Sequence, residues 1–389
     1  MSDATPVSIP FGKPMLGPEE AEAAARVLAG TQLVHGPVSK AFEEAFAARI
    51  GARKAISVSS CTAGLHLSLF STGIGAGAEV IVPAMTHVAT AHAAEYCGAK
   101  PVFVDVEPDT GNMSPPRVAE AAGERTRAIM PVHYLGLPCD MDAINAIARK
   151  HKALVVEDCA LAVDATYDGR KAGTLGDVGC FSFYPVKHMT TLEGGMVTTN
   201  DEALAAAIAK RKAFGYDRML GERKIPGVYD VDALGYNYRM NEVQAAVGLA
   251  QIAKLDGFQK ARARNYADLK ASLADVEELT VFEANKGKSV SSHYCLNAVL
   301  PRNGKLDRAD IMAVLTAKGI GTSVHYPRPV PLMKFYSEKY GYRRGQFPIT
   351  EWLADQTISL PVGPHLAEGD CGRIARAMKE AIQHVKKTS

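Results

Sequence analysis

The sequence lacks several features that would place the protein in a class at once. Its 389 residues contain no CxxC pair and no cysteine and histidine spacing that suits zinc. No window approaches about 18 uninterrupted apolar residues, and the N-terminus has no basic segment followed by an apolar one. We therefore expect no metal, no membrane span and no secretory leader. The seven cysteines are expected to be buried thiols of a cytoplasmic protein.

The chain also lacks an excess of charge of either sign. Lys and Arg number 44 and Asp and Glu number 42, which leaves a net charge of +2. Such a balance gives no field that would hold nucleic acid or an anionic membrane, so any bound anion must be held by a few local residues. Hydrophobic residues make up 47% of the chain, enough for a large core, and at about 150 residues per domain the length predicts two or three domains.

Seven short apolar runs, rich in β-branched residues, recur between residues 55 and 200. They cover residues 55–60, 79–83, 101–106, 128–133, 153–158, 179–184 and 194–199. Uninterrupted apolar runs are typical of strands that are covered on both faces of a mainly parallel sheet, and the intervals mostly have helical periodicity. The repeated strand–helix–strand order predicts an α/β fold with a three-layer αβα domain.

The pattern changes after residue 200. Helical periodicity is clear over residues 201–215, 241–271, 307–319 and 369–387, and strand signals remain only near 291–301 and 321–331. We predict a large domain over residues 1–255, including an N-terminal arm, and a smaller C-terminal α/β domain over residues 256–389.

Polar side chains stand where several predicted strands end. In an open parallel sheet, ligands bind beyond the carboxyl ends of the strands. Glu157 and Asp158 end the fifth run, and a nearly buried carboxylate there needs a cationic partner or several donors. Ser182 lies in the sixth run and Lys187 just beyond it, where a desolvated lysine can react with an aldehyde. A structural carboxylate and a solvated surface lysine are the alternatives.

Other strand ends carry weaker signals. Ser60, Cys61 and Thr62 follow the first run and open a predicted helix, whose N–H groups can bind an anion, although a plain N-cap explains the same residues. His87, after the second run, could contact a ligand or cap the next helix. His133, at the end of the fourth run, is more typical of a structural histidine.

Taken together, one edge of the sheet offers an anion cradle, a carboxylate, a hydroxyl and a lysine. Pyridoxal 5′-phosphate requires all four: the cradle and the hydroxyl for its phosphate, the carboxylate for its pyridine nitrogen and the lysine for its aldehyde. The competing cofactors fit less well, because no GxGxxG follows the first strand and no GxxxxGK[ST] occurs. The residues thus predict pyridoxal phosphate as the cofactor.

Five sequence blocks resemble the DegT/DnrJ/EryC1/StrS family of sugar aminotransferases, which use pyridoxal phosphate and have the fold of type I aminotransferases. The longest is VVEDCALAVDATYDGRKAGTLGDVGCFSFYPVKHMTTLEGGMVTTND, residues 155–201. The others are PVHYLGLPCDMDAI from Pro131, GYNYRMNEVQAAVGLAQI from Gly235, VHYPRPVPLMKFY from Val324 and SLPVGP from Ser359. They occur in the expected order over almost the whole chain.

The resemblance implies a role for each matching residue. Lys187 would bind the cofactor aldehyde covalently, Asp158 would pair with the pyridine nitrogen and Ser182 would contact the phosphate. Asn237 would reach the phosphate of the neighbouring subunit, which implies a homodimer. Further cofactor contacts fall on Cys61, Thr62, His87 and Ala160, and substrate contacts on His325 and Tyr326.

The chain departs from the family pattern at four places. Leu161 stands where the family commonly has a polar residue near the ring hydroxyl, and His87 where it usually stacks an aromatic ring. Ser60-Cys61 replaces a usual Asn-Gly, and the block from Val324 lacks a second histidine. These departures lie on the ring or substrate side, so they favour an unusual substrate or rate.

The leading functional hypothesis is amino transfer from an amino acid, glutamate by resemblance, to a nucleotide-linked keto-deoxysugar by a ping-pong mechanism. One alternative is a non-nucleotide ketone such as a cyclitol as acceptor, which Leu161 keeps open. A sugar dehydratase is disfavoured because dehydratases resembling this family replace the lysine with histidine. The other alternative is a non-catalytic binding protein, which would be expected to lose Lys187 or Asp158.

Overall fold

A seven-stranded sheet forms the centre of the first half of the chain. The computed structural model describes residues 8–217, 225, 227–302 and 304–388. The strands are β1 (Lys54–Val58), β2 (Glu79–Pro83), β3 (Lys100–Val104), β4 (Thr126–Ile129), β5 (Leu154–Asp158), β6 (Thr166–Tyr167), β7 (Arg170–Lys171), β8 (Val178–Ser182), β9 (Gly195–Thr199), β10 (Thr280–Val281), β11 (Asn285–Lys286), β12 (Ser289–Val290), β13 (Leu296–Val299) and β14 (Thr357–Leu360).

The order of the large sheet is β1-β9-β8-β5-β4-β2-β3. Strand β9 is antiparallel to both of its neighbours, and all other neighbouring strands of this sheet pair in parallel. The mainly parallel seven-stranded sheet predicted from the sequence is therefore confirmed, with each strand inside or next to its apolar run.

Helices cover both faces of this sheet. The helices of the described chain are α1 (Pro18–Leu28), α2 (Pro37–Ile50), α3 (Cys61–Ser71), α4 (Val88–Tyr96), α5 (Pro115–Ala121), α6 (Met141–His151), α7 (Glu202–Arg211), α8 (Glu242–Ser272), α9 (Arg308–Ala317), α10 (Lys334–Tyr340), α11 (Pro348–Gln356) and α12 (Asp370–Thr388). One apolar core joins α3, α4 and α7 to the sheet, and a second joins α2, α5, α6 and α8 to its other face. The result is the predicted three-layer αβα arrangement.

Side-chain caps fix where several helices begin. Ser60 accepts a hydrogen bond from Ala63 N at 3.1 Å at the start of α3. Asp140 does the same for Ala143 N at the start of α6, at 3.2 Å. These residues satisfy N–H groups that a helix leaves without partners in its first turn, so they fix the first residue of α3 and of α6.

The C-terminal part forms a smaller layer. Strands β10, β13 and β14 make a three-stranded antiparallel sheet, and α9, α12 and the end of α8 pack against it. The proposed boundary after residue 255 falls inside the single helix α8. Val330, Tyr336 and Phe347 return to the core of the large sheet, so the division into residues 1–255 and 256–389 stays a prediction.

One sequence prediction for this part is wrong. Residues 321–331 form no strand but only a single bridge, between Ser323 and Ser359, and a short 3-10 helix at Val330–Leu332. Three prolines remove ladder donors from this segment, which explains the difference. Residues 1–7 of the predicted N-terminal arm lie outside the described residues.

Two further features concern the thiols and the helices. All seven cysteines are free, and five of them are buried while Cys97 and Cys371 are half-buried. Within the described ranges, every helix is too short or too polar to span a membrane.

Candidate active site

Lys187 follows β8 in a tight turn, where its backbone N–H donates to Tyr184 O at 3.0 Å. Its Nζ lies 5.3 Å from the centre of the Tyr294 ring. Although the side chain is only half-buried, its surroundings desolvate the ammonium group and lower the pKa of Lys187, against the opposing charge of Asp158. None of the described residues accepts a hydrogen bond from Nζ, so the amine is available for chemistry.

Asp158 ends β5 and is 4% exposed. Its Oδ2 accepts a hydrogen bond from Thr90 Oγ1 at 2.7 Å, and its Oδ1 accepts from Ala160 N at 3.0 Å. Among the described residues, no lysine or arginine forms an ion pair with it. A buried carboxylate with two neutral donors and no cation retains the capacity to bind a cationic N–H donor.

Glu157 is the neighbour of Asp158 in the same strand and is fully buried. Its oxygens accept hydrogen bonds from the backbone N–H groups of Gly173, Leu175 and Gly176 at 2.7–2.8 Å, and the fourth partner is His133 Nε2 at 2.8 Å. Because Cys139 N donates to His133 Nδ1, the ring proton is on Nε2 and is donated to Glu157. Glu157 and His133 therefore hold the turn after β7 in place.

Glu157 and His133 also form, together with Cys159, a cluster that resembles a metal site. Donor atoms of His133, Glu157 and Cys159 lie within 4.8 Å of one another. However, both nitrogens of His133 and both oxygens of Glu157 already have hydrogen-bond partners. The hydrogen bonds account for the cluster without an ion.

The N-terminus of α3 forms a cradle beside Ser182. A Cβ added to Gly195 would lie 2.5 Å from Ser60 C and 2.6 Å from Cys61 N, so only glycine allows β9 to approach the helix this closely. Gly195 is paired with Ser182 across the sheet. No described residue accepts from the N–H groups of Cys61 and Thr62, which are thus free to bind an anion.

The side chain of Cys61 does not face this cradle as a donor. Its Sγ lies 3.5 Å from Cys180 O, and burial raises the pKa of the thiol well above its ordinary value. The backbone N–H of Cys61, rather than its sulfur, is the group that fits an anion.

His87 caps the helix that follows it, which was one of its two predicted roles, and it also lies beside the site. It is the N-cap of α4, where Nδ1 accepts from Ala89 N at 3.2 Å. Its ring is 6.1 Å from the ring of Tyr326. Burial lowers the pKa of His87, while the charge of Asp158 opposes this shift, which places its ring within electrostatic reach of that carboxylate.

His325 and Tyr326 belong to the same group of side chains. Burial lowers the pKa of His325 to about 3, and the charge of Lys187 adds to this effect. Burial raises the pKa of Tyr326 well above 10, with the charge of Asp158 as the next cause. The structure thus brings both predicted substrate residues to the lysine and the carboxylate.

Asn237 is the predicted site residue that lies apart from this group. It is exposed, and its Oδ1 accepts a hydrogen bond from Arg239 Nε at 3.0 Å. Arg239 also contacts His35 Nε2 at 3.2 Å. No contact of Asn237 with Lys187, Asp158 or Ser182 occurs among the described residues of this chain, so its role in a neighbouring subunit stays a prediction.

Two residues of the site were missed from the sequence. Thr90, which donates to Asp158, is 68 positions away from it, and Tyr294, whose ring lies by Lys187, is in the C-terminal half. Neither stands at an expected strand end. Leu161 is 2% exposed and packs in an apolar cluster with Met85 and Tyr134, as its side chain requires.

The assembled groups fit pyridoxal phosphate. A desolvated lysine amine corresponds to its aldehyde, and a buried carboxylate corresponds to its pyridinium nitrogen. The N–H groups beside a serine hydroxyl correspond to its phosphate, and neither they nor the carboxylate are saturated by the residues that the structure describes. All of them lie at the carboxyl ends of β1, β5 and β8, the edge where an α/β sheet binds ligands.

Comparisons with known proteins agree with this fit. The profile of the DegT/DnrJ/EryC1/StrS aminotransferase family matches residues 14–379. The spore coat polysaccharide biosynthesis protein SpsC of Bacillus subtilis is 36% identical over 379 residues, which cover 96% of this chain and 97% of SpsC.

Two solved structures are similar over almost their full length. DesV of S. venezuelae has a TM-score of 0.87 and 34% identity, covering 93% of this chain and 94% of DesV. DesI, solved in the presence of its TDP-sugar product, has a TM-score of 0.88 and 32% identity, covering 98% and 94%. The resemblance noted in the sequence is confirmed: the chain belongs to the DegT/DnrJ/EryC1/StrS aminotransferase family and is a sugar aminotransferase that uses pyridoxal phosphate.

Proposed function

We propose that this enzyme transfers an amino group from glutamate to a keto-deoxysugar that is linked to a nucleotide. The observation that carries the proposal is that a desolvated Lys187 and the buried carboxylate of Asp158 lie at the same edge of the sheet, and that Asp158 has no cationic partner among the described residues. The TDP-sugar product in the DesI structure and the polysaccharide role named for SpsC support the acceptor class.

Each residue has a defined task in this proposal. When bound, pyridoxal phosphate supplies an electron-withdrawing ring and carries the amino group between the two half-reactions. Asp158 accepts a hydrogen bond from the ring nitrogen and keeps it protonated, while Thr90 and Ala160 N hold the carboxylate in place. Ser182 and the start of α3 bind the phosphate.

Lys187 first holds the aldehyde and then acts as the acid–base group. Its lowered pKa favours the neutral amine. This amine can accept a proton from the substrate carbon and return it to the cofactor carbon that carries the transferred nitrogen. Tyr294 and His325 lie near this amine and reduce its contact with water.

The proposal includes a homodimer as the active unit, with Asn237 completing the phosphate site of the partner. Asn237 is exposed and makes no contact with Lys187 among the described residues of its own chain, and both facts support this role. An Asn237→Asp variant is expected to bind the cofactor more weakly, because it places a negative charge near a phosphate. Mixing it with a Lys187→Ala variant should restore some sites, which would not happen if each subunit were complete alone.

The acceptor is tested with a panel of purified substrates. The holoenzyme is incubated with glutamate and either TDP-linked keto-deoxysugars or a cyclitol ketone, and the amino product is detected by mass spectrometry. The proposal expects turnover with at least one nucleotide sugar. Turnover of the cyclitol ketone alone would overturn it and would favour the acceptor alternative that Leu161 keeps open.

A further inference from the structure

A closed ring of hydrogen bonds begins and ends at His325. His325 Nδ1 lies 3.0 Å from Ser359 Oγ, and Ser359 Oγ lies 2.7 Å from Asn297 Oδ1. Asn297 Nδ2 lies 3.0 Å from the hydroxyl of Tyr134, which in turn donates to the backbone carbonyl of His325. Three side chains thus connect the imidazole of His325 to its own carbonyl.

The ring is built on rigid elements. Asn297 and Ser359 face each other across β13 and β14, and Tyr134 opens a 3-10 helix that follows β4. The backbones of Ser359 and Ser323 exchange two hydrogen bonds, at 2.8 and 3.1 Å, which tie the segment before His325 to β14. Tyr134, Asn297 and Ser359 are each at most 1% exposed, so water does not compete for these hydrogen bonds.

The backbone carbonyl of His325 fixes the position of every proton in the ring of hydrogen bonds. A carbonyl can only accept, so the single hydroxyl proton of Tyr134 is donated to it, and the hydroxyl oxygen must accept from Asn297. Asn297 therefore places its NH₂ group towards Tyr134 and its oxygen towards Ser359.

The same logic continues to the imidazole. Ser359 must donate its single proton to Asn297 Oδ1, a contact that Cys295 Sγ also makes at 3.8 Å. Ser359 Oγ then has only a lone pair to offer to His325, so His325 Nδ1 carries the hydrogen. Since burial holds the pKa of His325 near 3, the imidazole is neutral and Nε2 has a free lone pair.

We propose that Tyr134, Asn297 and Ser359 are positioning residues that lock His325 as the Nδ1–H tautomer, so that Nε2 accepts a hydrogen bond from a substrate hydroxyl or ammonium group beside Lys187. The inference rests on the proposed function for the identity of the substrate, and not for the tautomer. His325 is within electrostatic reach of Lys187 and His87, and its ring centre lies 5.4 Å from that of Tyr294, the ring next to Lys187 Nζ.

The tautomer is measured directly by NMR of the full-length holoenzyme labelled with ¹⁵N-histidine. The His325 signals are assigned by their loss in a His325→Gln variant. The proposal expects the wild type to show a protonated Nδ1 and an unprotonated Nε2. The opposite tautomer in the wild type would overturn it, whatever the substrate proves to be.

Substitutions then test whether the ring selects the tautomer. Ser359→Ala removes the acceptor of Nδ1, and Tyr134→Phe removes the group that orients Asn297, so either variant should give a mixture of tautomers. Tyr134→Phe is nearly isosteric and serves if Ser359→Ala fails to fold. Ser359→Thr keeps a hydroxyl and should restore the wild-type tautomer. A pure Nδ1–H tautomer in both broken-ring variants would contradict the role assigned to the ring.

Kinetics test the use of Nε2. Ser359→Ala should lower kcat/KM roughly fivefold to tenfold, the value of about one hydrogen bond. The matched control is Thr357→Val, on the same strand, because the buried hydroxyl of Thr357 has no hydrogen-bond partner among the described residues. Unchanged kcat/KM in a folded Ser359→Ala variant, or an equal loss in Thr357→Val, would overturn the proposal.

Measuring the two half-reactions separately identifies which substrate group donates a hydrogen bond to His325 Nε2. Cofactor absorbance follows the reaction with glutamate and the reaction with the keto-sugar one at a time. A slower first half-reaction in Ser359→Ala assigns Nε2 to the ammonium group, and a slower second one assigns it to a sugar hydroxyl. If the wild type aminates no nucleotide sugar, the proposed function fails, while the NMR measurement still decides on the tautomer.

Discussion

The two sides of strand β5 place adjacent carboxylates in opposite situations. Successive side chains of a strand point to opposite faces, so Glu157 and Asp158 leave the same strand end in different directions. Glu157 receives four hydrogen bonds, including one from His133, and has no capacity left for a ligand. Asp158 receives two and has no cation among the described residues.

This difference shows that donor saturation, rather than burial, separates a structural carboxylate from a functional one. Both groups are almost completely buried, and both need compensation for lost hydration. The protein itself supplies all of it to Glu157 and only part of it to Asp158. The missing part is what the pyridinium nitrogen of the cofactor would provide.

The largest expected effect is the loss of turnover when Lys187, which lies on the same side as Asp158, is replaced. Lys187→Ala removes both the covalent link and the acid–base group, and turnover should fall by a factor of about 10⁴. The measurement is glutamate-dependent amination, with cofactor absorbance recorded in parallel. A Lys187→Ala enzyme that keeps turnover within tenfold of the wild type would show that another residue moves the proton.

On the other side, Glu157→Gln should act on stability. It leaves the backbone donors at residues 173–176 and the N–H of His133 with a neutral acceptor and one competing NH₂ group. The free energy of unfolding should fall by about 1–3 kcal/mol, the cost of leaving a buried donor without an acceptor. Urea unfolding measures this, and a loss below about 1 kcal/mol would contradict a structural role for Glu157.

Asp158→Asn should show the reverse pattern. The amide oxygen can still accept from Ala160 N, and the amide NH₂ group can donate to Thr90 Oγ1, whose own proton can turn to Thr86 Oγ1. Stability should therefore change by less than about 1 kcal/mol without cofactor. Turnover should fall roughly 100-fold, because a neutral amide cannot keep the ring nitrogen protonated. Equal stability losses in Asp158→Asn and Glu157→Gln would break the distinction between the two sides.

A smaller effect concerns pH. Burial lowers the pKa of His293 to about 4, and the charge of Arg262 adds to the shift. An unfolded histidine takes up a proton below about pH 6.5, whereas this one stays neutral in the fold until about pH 4, so the free energy of unfolding should fall as the pH drops through this window. The decline should be shallower in His293→Gln, and parallel curves for the two proteins would refute this contribution.

Much of the fold was predictable because buried parallel strands leave a direct trace in the sequence. Apolar runs at regular intervals predict the sheet, and the rule that ligands bind beyond strand ends led to Asp158, Ser182 and Lys187. The segment of residues 321–331 was mistaken for a strand because its aromatic and β-branched residues resemble one. Instead of forming a ladder, His325 and Tyr326 lie near Lys187 and Asp158, and Val330 packs in the core of the large sheet.

The partners of the site residues were not predictable in the same way. Thr90 reaches Asp158 from helix α4, and Tyr294 reaches Lys187 from the segment before β13. Three of the four donors of Glu157 are backbone groups. Such contacts depend on how distant elements pack. Nothing in the sequence around Glu157 and Asp158 distinguishes the saturated carboxylate from the unsaturated one.

The most direct test compares unfolding with and without the cofactor for the wild type, Glu157→Gln and Asp158→Asn. A ligand that binds only the folded state stabilises it by an amount that grows with the logarithm of its affinity. The account predicts that pyridoxal phosphate stabilises the wild type and Glu157→Gln by the same increment and stabilises Asp158→Asn by a clearly smaller one. Equal increments for all three proteins would show that Asp158 does not pair with the cofactor and would contradict the assignment of the site.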